Sequence, residues 1–176
     1  MGVLRLAAVL LALAAPAAAQ NTWVGGASGD WHQGANWSAG VPGPADAVLI
    51  DADALVVAYA TNPAVSVASL VLGDAVGTFA PALRLSTTAS LGVARLHPRA
   101  ALQLDTTVQI AAADLFLEAG SSVTAYSLPS VDGGGAVRLA VAGTLDAAAG
   151  STITARGRGY AAGAGPGAGG AGSVTE

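Results

Sequence analysis

The chain has 176 residues, seven Arg and Lys against eleven Asp and Glu, and a net charge of −4, with every cation an arginine. An acidic chain without a basic cluster is a poor partner for nucleic acid or an anionic membrane surface. It contains no cysteine, so no disulfide holds its fold together. In chain order, residues 1–5 carry a single positive charge, 6–14 form a continuous apolar run, Pro16 breaks it, and Ala17, Ala18 and Ala19 offer a small-residue cleavage pattern. That order of features predicts a signal peptide over 1–19, and the run is shorter than the ~20 apolar residues needed to cross a bilayer. No later segment reads as a membrane span, which predicts a secreted or cell-surface mature chain.

Residues 20–46 form a distinct block. All three tryptophans, Trp23, Trp31 and Trp37, fall within it, in a chain that is only 5% aromatic. Glycines, Pro42 and small polar residues surround them. Two uses fit such a block. Large rings laid over the first layer of a repeat fold would cover an apolar end that small side chains leave open. Alternatively, exposed indole faces would stack on an extracellular glycan, with Asp30, Asn36, His32 and Gln33 bonding its hydroxyls.

From residue 47 onward, apolar residues recur with period two. The pairs are Val48/Ile50, Leu55/Val57, Val65/Val67, Leu70/Leu72, Leu83/Leu85, Leu91/Val93, Leu102/Leu104, Val108/Ile110, Leu115/Leu117 and Val137/Leu139, with Ile153 last. Such alternation predicts short strands with one buried face. Turn-forming residues punctuate the gaps, as at Asn62-Pro63, Gly73-Asp74, His97-Pro98 and Gly120-Ser121. Residues 111–118 are the one stretch that could instead form a helical turn.

Val48, Val65, Leu83, Leu102, Val123 and Leu145 recur at intervals of roughly 17 to 22 residues, the size of one coil of a parallel β-solenoid. The expectation is therefore an all-β chain, a right-handed parallel β-helix over 47–156 with a Trp-rich N-terminal cap. An antiparallel β-sandwich is the alternative, since its strands also recur regularly, about every 8–12 residues. Residues 157–176, nearly all Gly and Ala, read as a flexible tail.

Residues 22–50 resemble the N-terminal segment of large bacterial exported proteins with parallel β-helix passengers, the adhesin-like and autotransporter-associated β-strand-repeat proteins. The residues carrying the likeness are Trp23, Gly25-Gly26, Gly29-Asp30-Trp31, Asn36-Trp37-Ser38, Gly40-Val41-Pro42, Asp46 and Val48-Leu49-Ile50. The run from Gly133 to Leu139, Gly143-Thr144-Leu145 and Ile153 to Gly157 is similar to coils of the same class, more weakly. The resemblance implies a surface or secreted β-helix, and it transfers no catalytic residue, because the motif is architectural.

Candidate chemistry is sparse. His32 and His97 are the only histidines and lie far apart in sequence. A zinc site needs three or four close ligands, so neither reads as one. Asp30, Asp46, Asp51 and Asp53 could supply oxygens to calcium, though no known loop pattern accompanies them, and Asp132-Gly133-Gly134-Gly135 is a single fragment of a calcium repeat. Glu118 is the only glutamate before the last residue, which argues against a glycosidase carboxylate pair. Arg84, Arg95, Arg99 and Arg138 lack a visible acidic cluster of the kind a polysaccharide lyase would place near its base. The sequence thus predicts a structural or adhesive module with no enzyme activity and no cofactor or metal. Its partner would be an extracellular glycan or a second copy, met on a Thr/Ser ladder near Thr87, Thr88, Thr106 and Thr107. A carbohydrate-binding module or a lyase-like remnant is the alternative.

Overall fold

The structure, a computed structural model, describes residues 20–105, 108–126 and 137–155. The expected leader, Thr106, Thr107, the Asp132 fragment and the Gly/Ala-rich tail lie outside them. The described chain is all-β. Its strands are β1 (Gln20–Thr22), β2 (Ser28–Asp30), β3 (Ala47–Ile50), β4 (Leu55–Ala58), β5 (Val65–Leu72), β6 (Ala82–Leu85) and β7 (Ala89–Leu96). They continue through β8 (Ala101–Leu104), β9 (Gln109–Leu117), β10 (Ser122–Ala125), β11 (Arg138–Val141), β12 (Leu145–Ala147) and β13 (Thr152–Thr154).

Up to β11, successive strands go to different sheets. One sheet runs β1-β3-β5-β7-β9-β11, with β12 also on β9; the other runs β2-β4-β6-β8-β10-β13. Every pairing between these strands is parallel. The antiparallel sandwich is thereby overturned. The single antiparallel contact among the described residues is an isolated bridge between Trp23 and Trp37. Residues 20–46, expected as a separate cap, contribute the first strand of each sheet.

Parallel register stacks like upon like. Val48 pairs with Leu70, and Ile50 with Leu72; Val56, Leu83, Leu102 and Val123 form a second column. All of these are buried, most completely so. Each inward face is covered by the sheet opposite and by its neighbours in the column, which is how short, individually unstable strands share one core.

The long strands turn a corner. In β5, β7 and β9 the in-out alternation breaks where two outward residues follow one another: Ala68-Ser69, Gly92-Val93 and Ala113-Asp114. A strand with period two cannot keep both halves facing one core across such a slip unless it bends there. These positions lie in register, so the bends stack. Backbones come very close at the corner: a Cβ added to Gly92 would lie 1.8 Å from the Ala68 carbonyl oxygen. In the last layer the corner is a bulge, with residues 142–144 facing 113–114 of β9.

The slip explains one error of the sequence reading: Leu91 is buried, but Val93, expected beside it, is outward. Another error lies in β4, where Val56 and Ala58 face the core rather than Leu55 and Val57. An unbroken apolar run has no internal phase, and the register with β6 sets it. The possible helical turn at 111–118 is part of β9.

The four-residue turn linking the sheets also repeats. Its left-handed position is held by Arg99 (φ 68°), Gly120 (φ 82°) and Gly150 (φ 89°), each two residues before β8, β10 and β13. The amide of Arg99 donates to the Gly120 carbonyl and that of Gly120 to Gly150, so the turns stack as the strands do.

Candidate functional site

The residues singled out as possible glycan contacts come together in the first layer. Trp23, Trp31, Trp37, Asp30 and Asn36 are neighbours there, but the rings point inward. They are 4%, 1% and 4% exposed and continuous with the apolar core. Trp37 meets both of the others edge to face, at centroid distances of 5.2 Å to Trp23 and 4.7 Å to Trp31. Such pairs contribute about 0.5–1.5 kcal/mol beyond their area. The Trp37 indole N–H donates to the Trp31 carbonyl at 2.6 Å, and that of Trp23 to Gly26 at 2.9 Å. The three rings are packed against one another and against the core.

The glycines between the tryptophans now have a cause. A Cβ on Gly25 would lie 2.5 Å from the Trp23 ring and 2.8 Å from the Asn36 amide; one on Gly29 would lie 2.8 Å from Asn36 and 3.1 Å from Trp23. The Trp23 ring lies against bare backbone, and Asn36 locks it there by donating to the Asp30 carbonyl at 2.9 Å. The Trp-Gly spacing is a packing requirement.

Sequence reasoning missed Asn21. It is 1% exposed, and its amide spans the return loop. It donates to the Gly40 carbonyl at 2.8 Å and accepts from the Ala39 amide at 3.0 Å. The middle residue of the polar run Gln20-Asn21-Thr22 carries no periodic signal that would reveal this.

The charged side chains tie one layer to another. Asp30 accepts from the Asn62 amide at 3.0 Å and from the His32 backbone at 2.9 Å. The His32 ring lies 3.7 Å from Asp30, and its buried Nδ1 has no hydrogen-bond partner. Asp105 receives Arg84 at 2.9 Å and Ser86 from the strand pair below; its hydrogen bond is the main cause holding the Arg84 guanidinium protonated beyond its ordinary range. Arg84 also lies over the Tyr126 ring.

Glu118 takes His97 Nδ1 at 2.9 Å and Arg95 at 3.1 Å. The His97 hydrogen bond, then that of Arg95, lowers its pKa against a desolvation that raises it. Arg95 stacks on Phe116 at 4.6 Å. Arg99 donates to the carbonyls of Gly77 and Thr78.

The aspartates considered for calcium are dispersed. Asp46 accepts from the Gly43 amide and Asp53 from Ala80, 27 residues on. Among the described residues, no three His, Asp or Glu side chains gather as a metal group. Thr87 bonds the Asn62 carbonyl as a turn residue. Hydroxyl side chains also stand in register on the outward face of the second sheet: Ser122 beside Thr152, and Thr124 beside Thr154.

No helix among the described residues is long and apolar enough to cross a membrane. Comparison of the chain with family models, with curated proteins and with solved structures finds no match.

Proposed function

We propose that the chain is a secreted or cell-surface structural module: a right-handed parallel β-solenoid, closed at its first layer by the tryptophan block, with no catalytic activity of its own. The observation carrying this reading is the parallel ladder that passes back and forth between two sheets from β1 to β13. Each passage through both sheets adds one layer, and the layers share one apolar core. The side chains that could do chemistry serve as ties between layers: Asp30 to Asn62, Arg84 to Asp105, Glu118 to Arg95 and His97. What remains for contact with the outside is the set of flat outward faces, which suits adhesion or display. The leader-like residues 1–19 and the resemblance of residues 22–50 to exported β-helix proteins support the location.

The carbohydrate-binding and lyase-like alternatives draw no such support. The indole faces are enclosed, and Arg84 and Arg95 are held in ion pairs on the surface. The test is export and attachment. Expressed whole in a bacterial host, the protein is expected in the surface or extracellular fraction, shortened by its leader, and to coat cells or abiotic surfaces without consuming any polysaccharide. Retention of the uncleaved chain in the cytoplasm, or polysaccharide cleavage by the purified protein, would overturn the proposal.

A further inference from the structure

The last layer leaves three strand edges without a neighbour among the described residues. β11 and β12 pair only with β9, and β13 only with β10. Their inward side chains are open as a result. Leu145 is 51% exposed beside a buried Leu115, and Ile153 is 51% exposed beside a buried Val123. An apolar cleft of about 220 Å³ separates Val137 and Leu139 from Ile153. Bare edges over an open core are templates for further strand pairing.

The edge sequence is complementary to itself when reversed. Arg138 and Asp146 lie at equal distances on either side of Ala142, and both are exposed. Both stand on the outward face, beside Gln109 and Phe116 of β9. Leu139 and Leu145 flank Ala142 equally too, on the inward face beside Ile110 and Leu115. Directly opposed residues of an antiparallel pair share a face. A two-fold axis at Ala142 therefore sets Arg138 against Asp146 of the partner subunit outside, and Leu139 against Leu145 of the partner subunit inside. The second sheet allows the same axis. β13 is Thr152-Ile153-Thr154, which reads alike in both directions. Reversed pairing sets Ile153 against itself and Thr152 against Thr154.

We infer that the chain forms a two-fold dimer, last layer to last layer, through antiparallel pairing of these edges. The occupant is a second copy because charge, face and hydrophobicity all match under one reversal. The sealed first layer, whose indoles leave no such opening, disfavours head-to-tail stacking into fibres. The inference rests on the proposed solenoid, which puts the two edges at one end of one core.

Sedimentation equilibrium of the full chain at micromolar concentration should give twice the chain mass. Arg138→Asp should weaken the dimer roughly tenfold or more, because a two-fold axis counts the repulsion twice, and Asp146→Arg should do the same. The double exchange should restore it. In a chain without cysteine, Ile153→Cys should cross-link to itself on mild oxidation. Opposed Cα atoms in an antiparallel pair lie about 4.5–5.5 Å apart, within disulfide reach.

A monomer at all concentrations overturns the inference, including one in which the chain's own residues 156–176 cover the edge. So does a dimer indifferent to both reversals or unlinked at position 153. A monomer found at the cell surface would overturn the dimer and leave the proposed function standing; a dimer found only in the cytoplasm would do the reverse.

Discussion

The first layer and the last are made from the same two sheets, yet their inward residues fare oppositely. Val48 and Ile50, one strand in from the start, are fully buried, because Asn21 and the indoles of Trp23, Trp31 and Trp37 make up the first layer on which they stack. Leu145 and Ile153 also face inward, but they stand in the last described layer, with a strand on one side only, and stay half exposed. The difference is one of side-chain size. A layer of Val, Leu and Ala covers its neighbour only when another layer follows, whereas three large interlocked rings let the first layer close on itself. A parallel stack thus needs a special sequence where it begins, and the last described layer carries none.

Truncating the rings is the strongest way to break that comparison. Trp31→Ala removes the most deeply buried indole and its edge-to-face contact with Trp37, and should cost about 3–5 kcal/mol. That is a large share of the roughly 5–15 kcal/mol that holds a domain folded. Ile153→Ala, an equivalent loss at the open end, should cost under ~1 kcal/mol in dilute protein. Urea unfolding of the two variants measures both. Equal costs would mean that the indoles do not seal the first layer.

Asn21→Ala should come next. It leaves the Gly40 carbonyl and the Ala39 amide without their buried partner under a loop that is itself largely exposed, so water can meet part of the loss and the total should be about 1–3 kcal/mol. Hydrogen exchange should show the loss as faster opening of residues 38–41 while β9 and β10 keep their protection. Uniform acceleration across all layers would show instead that the first layer and the rest open as one unit.

Part of this contrast is legible in the sequence, and part is not. Alternation placed Val48/Ile50, Leu70/Leu72, Leu83/Leu85 and Leu115/Leu117 inward, because flanking polar residues fix their phase. It misplaced Leu55 and Val93, since neither a run of apolar residues nor a corner announces which neighbour faces in. The repeat positions Leu83, Leu102 and Val123 do stack on one another. It mixed sheets at Val48, Val65 and Leu145, because strands of both sheets look alike one at a time. The tryptophan block was recognisable as a unit. Its glycines answer to the Trp23 ring lying against Gly25 and Gly29, a contact that no spacing in the sequence announces.

A gentler variant tests the corner shared by the middle layers. Gly92→Ala puts a methyl 1.8 Å from the Ala68 carbonyl oxygen, and backbone cannot swing away as a side-chain tip can. The expected loss is about 1–3 kcal/mol. Gly143→Ala meets chiefly the Asp114 carboxylate, at 2.6 Å, in an exposed last layer that can yield. It should cost less, and the order of the two midpoints in urea decides whether the corner is as rigid at the open end as in the middle.

The smallest expected effect concerns acid. Glu118 is held ionised by His97, and secondarily by Arg95, so its pKa in the folded chain lies below the ordinary value. A carboxylate whose pKa is depressed by folding adds stability above its unfolded pKa, about 4.3, and loses it as the pH falls through the lower folded value. The window therefore opens just below the usual glutamate range. Between neutral pH and pH ~3, the melting temperature of the wild type should fall more than that of Glu118→Gln, which has no charge to lose. The gap should be modest and should shrink in high salt, because the pair with Arg95 lies at the surface. Parallel acid profiles for the two proteins would mean that the tie from Glu118 to His97 and Arg95 adds nothing to the stacking, and that the middle layers are held by their apolar columns alone.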